Sequence, residues 1–125
     1  MDENSLSKEI IGAAIEVHKI LGPGLLETAY QMCLEREFAI RGVAFEKEKS
    51  LSVAYKGIEL DCGFRVDFIV QGLVVVELKA VERLLPIHEA QVLTYLKLLN
   101  LKLGLLLNFN VPLLKEGIKR IALCL

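Results

Sequence analysis

The stretch that most constrains this chain is Phe64 to Lys79, FRVDFIVQGLVVVELK. It reads as two strands rich in Val, Ile and Phe around a Gln71-Gly72 turn signal. Nearly every strand position is apolar, the pattern of a sheet with helices on both faces. Into that run are set three charged groups: Asp67, Glu77 and Lys79. Burying an isolated charge is costly unless it is paired or holds a metal, so their presence needs a reason. Glu77 and Lys79 are two apart and project from the same face of a strand.

Whether Asp67 joins them depends on the turn. A two-residue turn at Gln71-Gly72 would pair Val70 with Leu73 and set Asp67 opposite Val76, leaving Glu77 on the other face. A three-residue loop over Gln71 to Leu73, or a bulge near Gly72, would set Asp67 opposite Glu77. In that register D-x9-E-x-K becomes the carboxylate, carboxylate and lysine set of metal-dependent nucleases. The competing reading is a buried Asp–Lys or Glu–Lys ion pair in a sheet.

Around this stretch the pattern alternates between helix and strand. Leu6, Ile10, Ala14, Val17 and Leu21 recur at helical spacing from Ser5 to Leu21, with Ser5 or Ser7 as the expected cap. Leu21-Gly22-Pro23-Gly24 stops that helix, and His18 near its end reads as a core or capping residue. A second helix is expected from about Leu25 to Arg41, ended by Gly42. Gly24, Glu27 and Tyr30 form G-x-x-E-x-x-Y at its start, with Glu27 and Tyr30 on one helix face. For Glu27 alone, a helix-dipole role is sufficient explanation. Glu46 to Lys49 reads as a charged approach to the sheet. Ser50–Tyr55 and Ile58–Cys62 read as short strands joined at a tight Lys56-Gly57 turn. With Gly63 as a break before Phe64, three antiparallel strands would precede Glu77. Pro86 opens a third helix reaching Leu99 or Leu101. On it His88, Gln91 and Tyr95 form one polar stripe, while Val92, Leu96 and Leu99 face the sheet. Leu103 to Phe109 reads as a buried strand broken by Pro112, and Gly117 to Leu125 as a short last one.

At 125 residues the chain suits one compact domain over 1–125, and 54% hydrophobic content is high for that size. No apolar run approaches the roughly 20 residues of a membrane span, and the polar start MDENSLSKEI is no signal peptide, so a cytoplasmic location is expected. Cys33, Cys62 and Cys124, odd in number and widely spaced, read as buried free thiols rather than a zinc or disulfide framework. Net charge is −1, but residues 1–48 carry −4 and residues 49–125 carry +3, so the half with the candidate site is the basic one. That asymmetry suits an anionic substrate.

The order helix, three-strand meander, helix, strand resembles the core of the PD-(D/E)xK nuclease superfamily. More closely, the chain resembles the GxxExxY protein family within it. The likeness rests on H-x-x-L-G-P-G-L-L-E-x-x-Y (His18 to Tyr30), the Asp67 strand, E-L-K-A (Glu77 to Ala80) and Q-x-x-x-Y (Gln91 to Tyr95). Val66 stands where the name-giving proline precedes the Asp. The resemblance implies a three-layer α/β fold of restriction-endonuclease-like type: a mixed sheet, antiparallel meander plus later strand, with helices on both faces. It implies that Asp67, Glu77 and the Leu78 carbonyl bind a divalent metal, with Glu27 completing the site directly or through water. Lys79 would position or activate the attacking water. Gln91 and Tyr95, with Tyr30 and His88, would support the site or contact nucleic acid, DNA more readily than RNA.

Carboxylate and carbonyl oxygens suit Mg2+ or Mn2+ rather than zinc. Such an ion polarises a phosphoryl oxygen and lowers the pKa of bound water, and an adjacent lysine stabilises the charge that develops. The other function consistent with the sequence is a nuclease-fold module that binds protein or nucleic acid without turnover. Two further expectations follow. Asp67, Glu77 and Lys79 should converge with Glu27 approaching from the second helix, and a homodimer should form through the apolar segment Ile118 to Leu125.

Overall fold

The computed structural model describes residues 2–123. Helix α1 (Glu3–Leu21) and helix α2 (Glu27–Arg41) come first, followed by strands β1 (Phe45–Tyr55), β2 (Ile58–Val70) and β3 (Val74–Lys79). Helix α3 (Pro86–Leu99), strand β4 (Leu103–Asn108), a short 3-10 helix (Leu114–Gly117) and strand β5 (Ile118–Ala122) complete the chain. The sheet runs in the order β1-β2-β3-β4-β5. Its neighbours are antiparallel except β3 and β4, which run parallel with α3 as the crossover.

The two faces carry separate cores. Leu6, Ile10, Ala14 and Val17 of α1 and Tyr30, Leu34 and Phe38 of α2 pack on Phe68, Val76 and Leu78. Val92, Tyr95 and Leu96 of α3 pack on Val66, Val75 and Leu106 from the other side. The buried positions of α1 repeat at helical spacing because only one stripe of each helix can face the sheet. Apart from Glu77, Lys79 and Asn108, β3 and β4 are apolar, since helices cover them on both faces. Gly104 lets α3 approach closely: a Cβ there would lie 2.5 Å from a Val92 methyl.

Several expectations are corrected. Asp2, rather than Ser5 or Ser7, caps α1, its carboxylate accepting from the Ser5 N–H at 2.7 Å. The helix therefore starts at Glu3, two residues earlier than the apolar period indicates. Gly63 does not separate two strands. Its left-handed backbone (φ 77°) accommodates a bulge, shifting the register between Leu51↔Phe64 and Ser52↔Asp61 within one continuous β2. Two long strands, not three short ones, thus precede β3, and Glu46–Lys49 belongs to β1. Lys56-Gly57 is the tight hairpin turn, with positive φ at both residues.

The distal hairpin reaches past the helices. Val53 pairs with Leu60 and Tyr55 with Ile58, so the four share one face, and Tyr55, Ile58 and Leu60 are exposed. Cys62 on the same hairpin is exposed rather than buried, Cys33 is half-buried, and both are free thiols; Cys124 lies outside the described residues. The C-terminal segment is not the bare apolar run expected. Ile121 is buried against the α3 side, while Lys119 and Arg120 face solvent. Leu125 lies outside the described residues.

Candidate active site

β2 and β3 pair at Val70↔Val74, Ile69↔Val75 and Phe68↔Val76. The connection is therefore the three-residue loop Gln71–Leu73, with φ 50° at Gln71 and 66° at Gly72, closed by the Leu73 N–H donating to the Val70 carbonyl at 3.0 Å. That register sets Asp67 opposite Glu77. The Asp67 N–H donates to Glu77 Oε1 at 2.8 Å, and the Leu78 N–H donates to Asp67 Oδ2 at 2.8 Å. Past Phe68 and Val76, side-chain carboxylates thus accept the backbone donors. Each acid is anchored by a peptide N–H of the facing strand, which holds its side chain in place.

Asp67 also marks a change of face. Val66 packs on the α3 side and Phe68 on the α1–α2 side, although residues two apart in a regular strand share a face. The partner strand shows the matching irregularity, since Glu48, between the pairs Lys47↔Phe68 and Lys49↔Val66, has φ 52°. A left-handed glutamate is uncommon and needs surrounding structure to hold it. Its charge reaches the site, contributing to the rise in the Asp67 pKa. Nothing in the sequence pattern singled out Glu48.

Glu27 is the first residue of α2 and is half-buried. The loop before it is held by Tyr30, whose hydroxyl donates to the Gly22 carbonyl at 2.6 Å and accepts from the Leu25 N–H at 3.1 Å. Tyr30 is fully buried and stacks on Phe109 at 4.5 Å between ring centroids. From within the core it holds the loop that leads into Glu27. Phe109 in turn donates its N–H to the Lys79 carbonyl at 2.9 Å and accepts at its own carbonyl from His18 Nε2 at 3.1 Å. His18 is accordingly a satisfied core histidine. Gly24, with φ 93°, supplies the left-handed step this loop needs.

Asn108, another residue that sequence reasoning passed over, pins the chain just after Lys79. Its Oδ1 accepts from the Val81 and Asn110 N–H groups at 3.1 and 3.2 Å, and its Nδ2 donates to the Val81 carbonyl at 3.0 Å. A buried amide with these partners fixes the exit of β3.

The electrostatics tie the acids together. Burial, reinforced by repulsion from Asp67, holds the Glu77 carboxyl up at about 8. Burial likewise raises Asp67 against the lowering effect of the Leu78 N–H and of Lys79. Glu27 is raised by burial and by Asp67, and lowered by Lys79. Among the described residues no carboxylate lies within ion-pair distance of the Lys79 ammonium; the ion pairs are at the surface. The structural alternative of a closed Asp–Lys or Glu–Lys pair is therefore not what the fold contains.

On α3, Tyr95 is buried, its hydroxyl's pKa raised by burial and then by Glu77 and Asp67, and its ring lies edge-on to Phe64 at 6.3 Å. His88 turns its Nδ1 to the Leu85 N–H at 3.0 Å and so caps the helix. Gln91 is half-buried and, with His88 and Tyr95, lines a cavity beside Phe64.

The donor set suits a hard divalent cation: the buried Glu77 and the half-buried Asp67 and Glu27, their proton affinities raised by burial and, for Glu77 and Glu27, by the neighbouring Asp67, are groups a cation would relieve. Among the described residues no three His, Cys, Asp or Glu side chains form a ready-made metal cluster. A family model for the PD-(D/E)XK nuclease superfamily matches residues 4–121. No curated protein and no solved structure matches the chain.

Proposed function

The chain belongs to the PD-(D/E)XK nuclease superfamily, and on that premise we propose that it is a divalent-metal-dependent nuclease acting on DNA. The observation that carries the proposal is the reciprocal anchoring of Asp67 and Glu77 between β2 and β3, with Lys79 two residues on and, among the described residues, in no ion pair. Asp67 and Glu77, with the Leu78 carbonyl and Glu27, would hold Mg2+ or Mn2+. When bound, the ion supplies Lewis acidity toward the phosphoryl oxygens and acidifies water. Lys79 orients the attacking water and offsets negative charge developing on the phosphate. Asp67 and Glu77 keep their orientation through the facing-strand N–H groups, so neither has to reorganise when substrate arrives. Gln91, Tyr95 and His88 form the supporting wall on the α3 side.

Within the superfamily, Gly24, Glu27 and Tyr30 support membership of the GxxExxY group, as a single nuclease domain working in the cytoplasm. Among the described residues no helix is long and apolar enough to cross a membrane. A homodimer belongs to the same reading, and the exposed Tyr55, Ile58 and Leu60 of the hairpin support it better than the C-terminal strand. Light scattering that gives a monomer at high concentration removes the dimer.

Calorimetric titration with Mn2+ of the wild type and Asp67→Ala, alongside plasmid cleavage, tests the proposal. Wild type should bind and cut, and Asp67→Ala should do neither. Lys79→Ala should keep the metal and lose cleavage by on the order of 10²-fold. A wild type that binds no Mn2+ and leaves the plasmid intact would mean a nuclease-fold module without turnover.

A further inference from the structure

Between α1 and the 3-10 helix lies a cavity of about 390 Å³ that the proposed chemistry leaves unused. Ile15, His18 and Lys19 line it from α1, and Leu113, Leu114 and Lys115 from the chain that follows β4. None of the six belongs to the carboxylate centre. The volume falls within the range of about 300–1,000 Å³ in which small-molecule sites occur. Its floor is fixed, since Leu114 is buried and His18 Nε2 is held by the Phe109 carbonyl at 3.1 Å. Its rim is aliphatic and wet: Ile15 is 37% and Leu113 54% exposed.

Charge selects the class of ligand. Lys19 and Lys115 are exposed and, among the described residues, neither takes part in an ion pair. Glu16 and Glu116 are close in sequence, yet neither pairs with them or lines the cavity. A place in the last turn of α1 accounts for Lys19 through the helix dipole. It does not account for Lys115, which a different element brings to the same cavity. A bare phosphate would leave the aliphatic wall in water, and a neutral hydrocarbon would leave both ammoniums without an acceptor. An anionic head on an aliphatic tail uses both.

We propose that this cavity binds a single-chain carboxylate of medium length, its head between the Lys19 and Lys115 ammoniums and its tail against Ile15, Leu113 and Leu114. The proposal stands apart from the nuclease reading, with which it shares no residue. A structural tie to the centre does exist: His18 donates to the Phe109 carbonyl, and the Phe109 N–H donates to the Lys79 carbonyl at 2.9 Å. The Phe109 amide is therefore a reporter of occupancy. Lys19, Lys115 and Leu113 are exposed, so their replacement alters the cavity with the fold intact.

The probe is octanoate, titrated into the full chain below its micellar range by calorimetry, with octan-1-ol and acetate as the tail-only and head-only controls. Octanoate should bind at one site, and amide shifts in a labelled sample should cluster at residues 15–19 and 109–115. The double variant Lys19→Gln/Lys115→Gln should weaken octanoate by about 3- to 10-fold, the effect of two partly exposed ion pairs, at an unchanged urea midpoint. It should leave octan-1-ol as it was. Leu113→Ser should weaken both octanoate and octan-1-ol by about 3- to 10-fold through lost apolar contact. Acetate should not bind. Absence of saturable octanoate binding, octan-1-ol binding as tightly as octanoate, or affinity indifferent to both lysines overturns the proposal. Amide shifts centred elsewhere in the fold do the same. Each of these results holds whether or not the protein binds Mn2+ or cuts plasmid.

Discussion

Replacing Glu77 by Gln removes one charge while keeping the oxygen that accepts the Asp67 N–H, so it isolates the cost of ionising this carboxyl in the fold. A carboxyl that holds its proton to higher pH when folded stabilises the protein fully below its unfolded value, and that contribution is lost as pH rises through the folded one. For Glu77 the window runs from 4.5 to about 8. Over that interval the linkage amounts to roughly 5 kcal/mol as a ceiling, at 1.36 kcal/mol per pH unit. Relaxation and water entry around the carboxyl would relieve part of the desolvation, so we expect a loss of about 2–4 kcal/mol between pH 5 and pH 9. Urea unfolding in EDTA at a series of pH values measures it. Glu77→Gln should match wild type near pH 5 and exceed it by that amount at pH 9. Asp67 and Glu27 are raised as well, so a shallower slope of the same sign should persist in the variant. Saturating Mn2+ should stabilise wild type increasingly as pH rises, and the variant far less. A metal-free wild type whose stability relative to Glu77→Gln does not fall across this window would refute the buried, proton-holding glutamate.

Two further substitutions probe the supports. Tyr30→Phe leaves the Gly22 carbonyl and the Leu25 N–H without their partner; it should cost roughly 1–3 kcal/mol as a lower urea midpoint at unchanged slope, together with weaker Mn2+ binding if Glu27 contributes to the site. Gly117→Ala would drive a Cβ into the Asn108 carbonyl, and a thermal melt should register about 2–3 kcal/mol of lost stability; a neutral result would mean that the end of β4 yields more easily than its hydrogen bonds imply.

What could be read from the sequence was set by periodicity and by turns with one chemical solution. The helices followed from apolar spacing, and Lys56-Gly57 from the need for two left-handed residues in a tight hairpin. The Asp67–Glu77 pairing was legible only as a condition: a three-residue loop or a bulge would bring the acids together and a two-residue turn would not. Gln71-Gly72 looks alike in either case, because the choice lies in which residue after it rejoins the ladder. Gly63 misled for a related reason, since a glycine that ends a strand and one that lets a strand bulge carry the same letter. Glu48 and Asn108 were invisible because a left-handed glutamate and a buried amide acquire meaning only from neighbours far along the chain. The C-terminal segment failed as a bare patch because Ile121 packs under α3, a contact between elements that local composition does not encode.

The face switch at Asp67 explains why the acids sit where they do. In a regular ladder the Asp67 and Leu78 N–H groups would be bonded to backbone carbonyls, and the half-buried Asp67 and buried Glu77 would have no donors of their own. By turning over between Val66 and Phe68, the strand makes both N–H groups available, and each carboxylate takes one. That satisfies hydrogen bonding but not charge, since a peptide N–H is a dipole and the acids still repel. Lys79 could have closed the balance as an ion pair, yet among the described residues it has no carboxylate within 4.0 Å. The proton on Glu77 is the remaining compensation. A proton is exchangeable for a cation, and a site that can trade one for the other has the asymmetry the proposed chemistry requires: anchored acids, an unspent lysine, and a charge deficit left for a ligand to fill.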